Sequence, residues 1–253
     1  MTVDLSADVG EGFGAYRAAD DAALLRVVSS ANIACGFHAG DPGIMHATVA
    51  ECVRLGVGVG AHPGLPDREG FGRRTMALSR HEVYTYVLCQ LGALDAFTRA
   101  HGTRIRHVTP HGQLGNVAVS DVDWAEAIVD AVRDFDASLA VVALEGALTK
   151  AARDAGLPVA VLGIADRAYC EDGSLVARSS PGAVITSERE VTARVVRMAT
   201  DGVVRTITGR DIALRPDTVL LHGDTPGSVD LARAVRAALT SAGVGVEPLA
   251  ARL

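Results

Sequence analysis

Short runs rich in Val, Ile, Leu and Ala recur along the chain, and each is followed by a longer stretch whose apolar residues fall at helical spacing. The runs at 2–8, 31–37, 57–61, 104–108, 138–144, 158–165 and 218–223 predict strands, with a last short one at 243–249. Most lack polar alternation, as expected of strands covered on both faces. Strand and helix patterns taken in turn are the signature of βαβ units, so the chain predicts an α/β barrel of about seven parallel strands. Helix starts are marked locally. Asp41-Pro42 offers a cap and first-turn proline for a helix ending near Gly56, and Thr225-Pro226 repeats the pair. Ser79 with Glu82 spells a capping box for a helix to about His101, and Ser187 with Glu190 spells a second. The stretch 203–215 reads as a hairpin turning at Gly209, outside the barrel wall. No repeat, linker or low-complexity segment interrupts the pattern, so residues 1–253 are expected to form one domain.

Polar residues collect where these strands end. Asp8 and Glu11 follow the first, His38 and Asp41 the second, His62 and Asp67 the third, and His111 and Asn116 the fourth. Glu145 follows the fifth, Asp166 and Arg167 the sixth, and His222 and Asp224 the seventh. In a parallel barrel those ends converge on one mouth, where loops vary without disturbing the core. His46, His81, His101 and His107 fall inside elements and read as structural. Glycine-rich turns flank the mouth residues and let backbone N–H groups approach a ligand, but none has the spacing of a nucleotide-binding loop. Arg73 and Arg74 offer guanidinium groups for a carboxylate or phosphate, although a loop acid such as Asp67 or Glu69 could engage either. Asp8, His38, His62 and His111 raise a divalent metal, without the helical His pairs that would make the signal strong. Cys35 lies in an apolar run and reads as a small buried hydrophobe.

Composition narrows the function classes. At 253 residues and 49% apolar, the chain can bury a substantial core, and its net charge of −6 with scattered cations argues against nucleic acid as a partner. Lys150 is the one lysine, so chemistry that needs a titratable amine has a single candidate. Four cysteines without a C-x-x-C pair point to a reduced, cytoplasmic setting. The acidic N-terminus lacks the form of a signal peptide, and no apolar run is long enough to span a bilayer.

The blocks "DLSADVGEGFG", "SANIACGFHAGDP", "GVGVGAHPGLPDREGFGRR", "PHGQLGN", "ADRAYCEDG" and "LLHGDTPGSV" resemble, in order and over almost the whole chain, the LamB/YcsF family. The resemblance implies a TIM-like barrel akin to the glycoside hydrolase/deacetylase group. It also implies a share in the ATP-dependent opening of 5-oxo-L-proline to L-glutamate, performed with partner subunits B and C. ATP, with Mg2+, would be bound by this chain or by a partner, and the substrate would be a small lactam carrying a carboxylate. On this footing Asp8, His38, His62, His111, Asp166 and His222 are the catalytic candidates. Glu11, Arg73, Arg74, Asn116, Arg167 and Asp224 are the substrate-binding candidates, with Asp166 and Arg167 expected to pair and order the mouth. Asp8 or His111 would serve as base, and His38 and His62 as oxyanion or phosphate partners. The chain departs from the family's "KPHGALYN" with Thr109, Gln113 and Gly115, and from "EVFADR" with Leu162, Gly163 and Ile164. A lysine, a tyrosine and a glutamate are absent together. Two alternatives therefore stand beside the lactam reading: a metal-assisted amidohydrolase or deacetylase that works without ATP, and a non-catalytic paralogue that binds a small carboxylate. A homo-oligomer is left open.

Overall fold

A computed structural model of the chain describes residues 1–225 and 227–249. The chain begins with β1 (Thr2–Val9), a short α1 (Asp21–Leu24), β2 (Ser30–Ala34), α2 (Pro42–Leu55), β3 (Gly58–His62) and α3 (Arg80–Ala100). It continues with β4 (His107–Val108), α4 (Gly112–Ala118), α5 (Val122–Asp136), β5 (Ala140–Ala143), α6 (Ala147–Asp154) and β6 (Val159–Ile164). The last elements are α7 (Glu188–Thr200), β7 (Val203–Arg205), β8 (Asp211–Ala213), β9 (Thr218–Leu221), α8 (Ser228–Ser241) and β10 (Gly245–Val246). Strands β1, β2, β3, β4, β5, β6 and β9 pair in parallel in that order, and β9 pairs back onto β1, which closes a barrel. β10 adds a parallel pair to the start of β1, and β7 with β8 forms the antiparallel hairpin outside the wall. Among the described residues no helix is long and apolar enough to cross a membrane.

Alternation along the strands divides the two faces of the wall. Val3, Leu5, Ala7 and Val9 of β1 join one cluster with helix residues such as Leu24, Val49, Leu91 and Ile128, so the odd positions face the helices. The register carries the even positions inward: Asp8 lies opposite Asn32, Asn32 opposite Gly60, and Gly60 opposite His107. Half of the interior is consequently polar. The other half is apolar, built by Val142, Ala160, Leu162, Ile164 and Leu220. Near the base, Thr218 and Ser29 donate to the two oxygens of Asp4 at 2.6 and 2.8 Å, so that buried carboxylate is hydrogen-bonded on both sides. Gly60 is required by a close approach, since a Cβ there would lie 2.0 Å from His107 Nε2. The imidazole occupies the space that a side chain on β3 would take.

Local signals act where expected, with four differences. Asp41 caps α2 and Gly56 closes it in a left-handed turn, and the Ser79/Glu82 box is complete. At Ser187 only half of the box forms, the hydroxyl accepting from Glu190 N–H. The Thr225-Pro226 pair includes a residue outside those described, and α8 starts from Gly227 in a left-handed conformation without a side-chain cap. β2 stops at Ala34 because Gly36, at φ +94°, turns the chain so that its N–H meets Ala39 C=O. β4 is two residues long, although Arg106 still bonds to Val59 and Ala140 on either side.

The Gly60–His107 contact yields a stability prediction. Gly60→Ala is expected to lower unfolding free energy by about 2–3 kcal/mol through overpacking, and adding His107→Ala should return part of that loss. Urea unfolding of the two single variants and the double variant measures the coupling, and strictly additive losses would remove the steric account.

Candidate active site

The mouth of the barrel gathers residues from its first four strand ends. Glu11 follows β1, His38 lies in the turn after β2, His62 ends β3, and His111 stands just before α4. All four are buried, and one ligand atom from each lies within 4.8 Å of the others. The His38 and His111 rings stack with centroids 3.8 Å apart and planes 2° from parallel, while His62 meets both edge-on. Two glycines make the slot for this stack. A Cβ on Gly64 would sit 2.2 Å from His38 Nδ1, and one on Gly72 would sit 2.9 Å from His111 Cδ2.

Hydrogen bonds to groups that can only accept fix the ring protons. His62 Nδ1 lies 2.6 Å from Thr109 C=O and His111 Nε2 lies 2.8 Å from Phe71 C=O, so each of those nitrogens donates. In the neutral rings the other two nitrogens, His62 Nε2 and His111 Nδ1, carry lone pairs, and they face each other at 2.9 Å. Glu11 Oε1 is 3.2 Å from His38 Nε2 and 3.3 Å from His111 Nδ1, and Asp8 Oδ1 is 3.4 Å from His62 Nε2. Phe71 presents its carbonyl from a left-handed conformation, φ 54°, that is costly for an aromatic residue. Its ring packs edge-on to His38 and His111, and the Arg73 guanidinium sits 4.8 Å above it.

Behind this set runs a second line of buried polar groups. Asn32 donates to Asp8 at 3.0 Å and accepts from His107 at 2.8 Å and from Thr109 Oγ1 at 3.2 Å. His222 Nδ1 bonds to Asp166 at 2.8 Å. Arg73 donates to Asp224 at 2.8 Å, and both line a cavity of about 500 Å3 together with Glu11, His38, Phe13 and Tyr16.

The charges are uneven. Burial opposes ionisation of Asp8, but His62, His222 and His111 outweigh it and hold the carboxyl well below the usual range. Glu11 is pushed well up, by burial first and then by Asp8 and Asp224, against Arg73. Burial, then the neighbouring cationic groups, drive His38 and His111 down, and burial brings His107 to about 4. For His222 burial works against the cation, yet Asp166 and then Asp8 prevail and raise it. Burial pushes the Cys35 thiol to about 12, which makes it inert as a nucleophile at neutral pH.

Of the residues singled out in the sequence, Asp8, Glu11, His38, His62, His111, Arg73, Asp166, His222 and Asp224 stand at this mouth. Three turn elsewhere. Arg74 is 61% exposed and is held by Asp67 and Glu69. Asn116 is exposed on α4, away from the stack. Arg167 is buried, but its guanidinium serves the backbone carbonyls of Val176 and Ala183, and no hydrogen bond or ion pair joins it to Asp166. Glu145 likewise pairs with Arg153 outside the mouth. Asn32 and His107 were not expected here, because both sit inside predicted strands. The one sign of Asn32 is that it is the only polar side chain between Ala31 and Gly36 apart from a cysteine.

Comparisons with known proteins extend over nearly the full chain. The family model described as the LamB/YcsF family matches residues 3–253. The chain is 50% identical over 251 residues to the 5-oxoprolinase A subunit of Rhodopseudomonas palustris (strain BisB18), covering 98% of each. It is 47% identical over 250 residues to the 5-oxoprolinase A subunit of Pyrococcus furiosus, again covering 98% of each. Among solved structures, the lactam utilization protein from Thermus thermophilus superposes with a TM-score of 0.93 at 47% identity, covering 98% of this chain and 99% of that one.

The Asp166–His222 pair has a pH signature. Because the folded value for His222 lies above 6.5, its contribution to stability is complete below about pH 6.5 and is lost as pH rises through the folded value. In Asp166→Asn the His222 resonances, followed by NMR, should titrate at lower pH than in the unmodified chain. An unchanged titration would rule out the pairing as the cause.

Proposed function

The chain belongs to the LamB/YcsF family, and on that premise we propose that it is the lactam-opening subunit of a 5-oxoprolinase-like hydrolase. It would convert 5-oxo-L-proline to L-glutamate with two partner subunits, ATP and Mg2+. The observation that carries this reading is one cavity of about 500 Å3 that has the Arg73 cation at its side and a buried His/Glu cluster at its floor. A five-membered lactam bearing a carboxylate matches both features. Relatives named as the A subunit of 5-oxoprolinase, and a solved relative named a lactam utilization protein, support the substrate class.

An unstrained lactam is a poor electrophile. Phosphorylating its oxygen activates the carbon: water adds, the ring C–N bond breaks with the nitrogen protonated to leave an acyl phosphate, and a second water releases phosphate and L-glutamate. Asp8 is held ionised beside His62 and is the base for water. His222, whose pKa Asp166 raises against burial, is the proton donor. Arg73 binds the substrate carboxylate while Asp224 fixes its direction. Acid and base are each asked for roughly 10²- to 10⁴-fold. A second reading, metal-assisted amide hydrolysis without ATP, is favoured by the carboxylate and imidazoles gathered beside the cavity.

Glutamate release from 5-oxoproline by the chain combined with its two partner subunits, measured with and without ATP, tests the reading. Asp8→Asn should lower kcat by roughly 10³-fold or more, whereas Arg73→Ala should act mainly on KM, by about 10- to 100-fold. Complete inactivity of the reconstituted complex, with every subunit folded, would sink the lactam reading, and ATP-independent release would favour the second one. Thr109→Lys restores the residue of the resembling family, and a large gain in rate would show that the native threonine limits oxoproline chemistry.

A further inference from the structure

Glu11, His62 and His111 each bring one donor atom to the same place beside the cavity, and in the neutral rings two of those donors meet lone pair to lone pair. His62 and His111 each give their ring N–H to a backbone carbonyl, at Thr109 and Phe71, which turns the lone pairs of His62 Nε2 and His111 Nδ1 toward each other at 2.9 Å. Backbone carbonyls behind imidazoles in this way are what orient metal-ligating histidines. Glu11 Oε1 stands 3.3 Å from His111 Nδ1, 3.2 Å from His38 Nε2 and 4.0 Å from His62 Nε2. In a tetrahedral site with bonds of about 2.0–2.1 Å, neighbouring donors lie about 3.3 Å apart. The observed separations surround that value. The His38 ring stacks parallel to His111 at 3.8 Å, so its in-plane lone pair cannot meet an ion held by His111, and its Nε2 stays with Glu11 at 3.2 Å.

We propose that Glu11, His62 and His111 bind one divalent transition-metal ion of the zinc class at the mouth of the barrel, with His38 stacked beside them outside the coordination sphere. Two imidazoles and one carboxylate, with a position left open, suit zinc and its late first-row neighbours and do not suit magnesium or calcium. A proton shared by His62 and His111 would fill only their own gap, whereas a cation engages all three groups. Glu11, and not Asp8, supplies the carboxylate. Asp8 Oδ1, 3.4 Å from His62 Nε2, is tied to Asn32 and stands just behind the ligands. When bound, the ion would supply Lewis acidity to a carbonyl oxygen in the cavity. It is distinct from the Mg2+ that accompanies ATP.

The test uses the full, untagged chain, stripped with chelator and checked for folding by circular dichroism. Titration with Zn2+ followed by calorimetry should give one equivalent bound with a dissociation constant below about 10 μM. Co2+ should give the visible absorption bands of a four- or five-coordinate site. His62→Gln and His111→Gln should each weaken Zn2+ binding by roughly 100-fold or more, while Asp8→Asn keeps the stoichiometry at one. Failure of the folded, unmodified chain to take up an equivalent at about 100 μM Zn2+ would overturn the site, as would uptake that survives loss of both imidazoles. No substrate, ATP or partner subunit enters these measurements, so the site can fail while the lactam reading stands, or the reverse.

Discussion

Buried polar groups must be paired, and inside this barrel one amide does most of the pairing. Asn32 accepts from His107 and Thr109 on its carbonyl oxygen and donates to Asp8 from its nitrogen. It links strands β1, β2 and β4 across the interior. Turning Asn32 inward depends on register, because a slip of one residue on β2 would bring Ile33 to the inside and bury Asp8 beside an aliphatic side chain. An unpaired carboxylate at that depth is far more costly than any single contact at the mouth is favourable. The geometry of the His cluster therefore rests on backbone pairing several residues below it.

The barrel was legible because its signals are local. Apolar runs mark the strands, Asp41, Ser79 and Gly56 mark the helix ends, and glycine-rich turns mark the strand exits. Residues placed after strands were legible as a group for the same reason, since a parallel barrel brings those exits together. Which of them turn inward was not. Arg74, Asn116, Arg167 and Glu145 occupy equivalent sequence positions, yet each meets a loop acid, a helix arginine, a backbone carbonyl or solvent first. Such competition is settled by loop shape, which single-residue spacing does not encode. Asn32 and His107 were hidden for the opposite reason. They sit within strands, where a polar residue reads as a tolerated exception until the lateral register shows that they face each other across β3.

Departures from the family's usual motifs also look different in three dimensions. Thr109 keeps two tasks at the position where the resembling family has a lysine: its carbonyl takes the His62 N–H and its hydroxyl supports Asn32. What is missing is a cation near Asp8, whose charge is met by imidazoles instead. Gly115 lies so close to the preceding turn that a Cβ would stand 2.8 Å from Pro110 C=O, so the backbone here has settled into a packing that excludes any side chain. Leu162 faces the apolar half of the interior among Ile164, Leu220 and Val142. The changes at 109, 115 and 162 each fit their surroundings.

The loop from His62 to Arg73 supplies a ring, the glycine slot for two others, the carbonyl that holds His111, and the guanidinium at the cavity wall. Its left-handed Phe71 makes these parts interdependent, for moving that one residue would disturb ring orientation and cation placement at once. Such a segment works as one block. Among barrels built on this plan it should exchange as a whole cassette far more readily than it tolerates piecemeal drift, which makes it the natural unit for grafting one member's selectivity onto another.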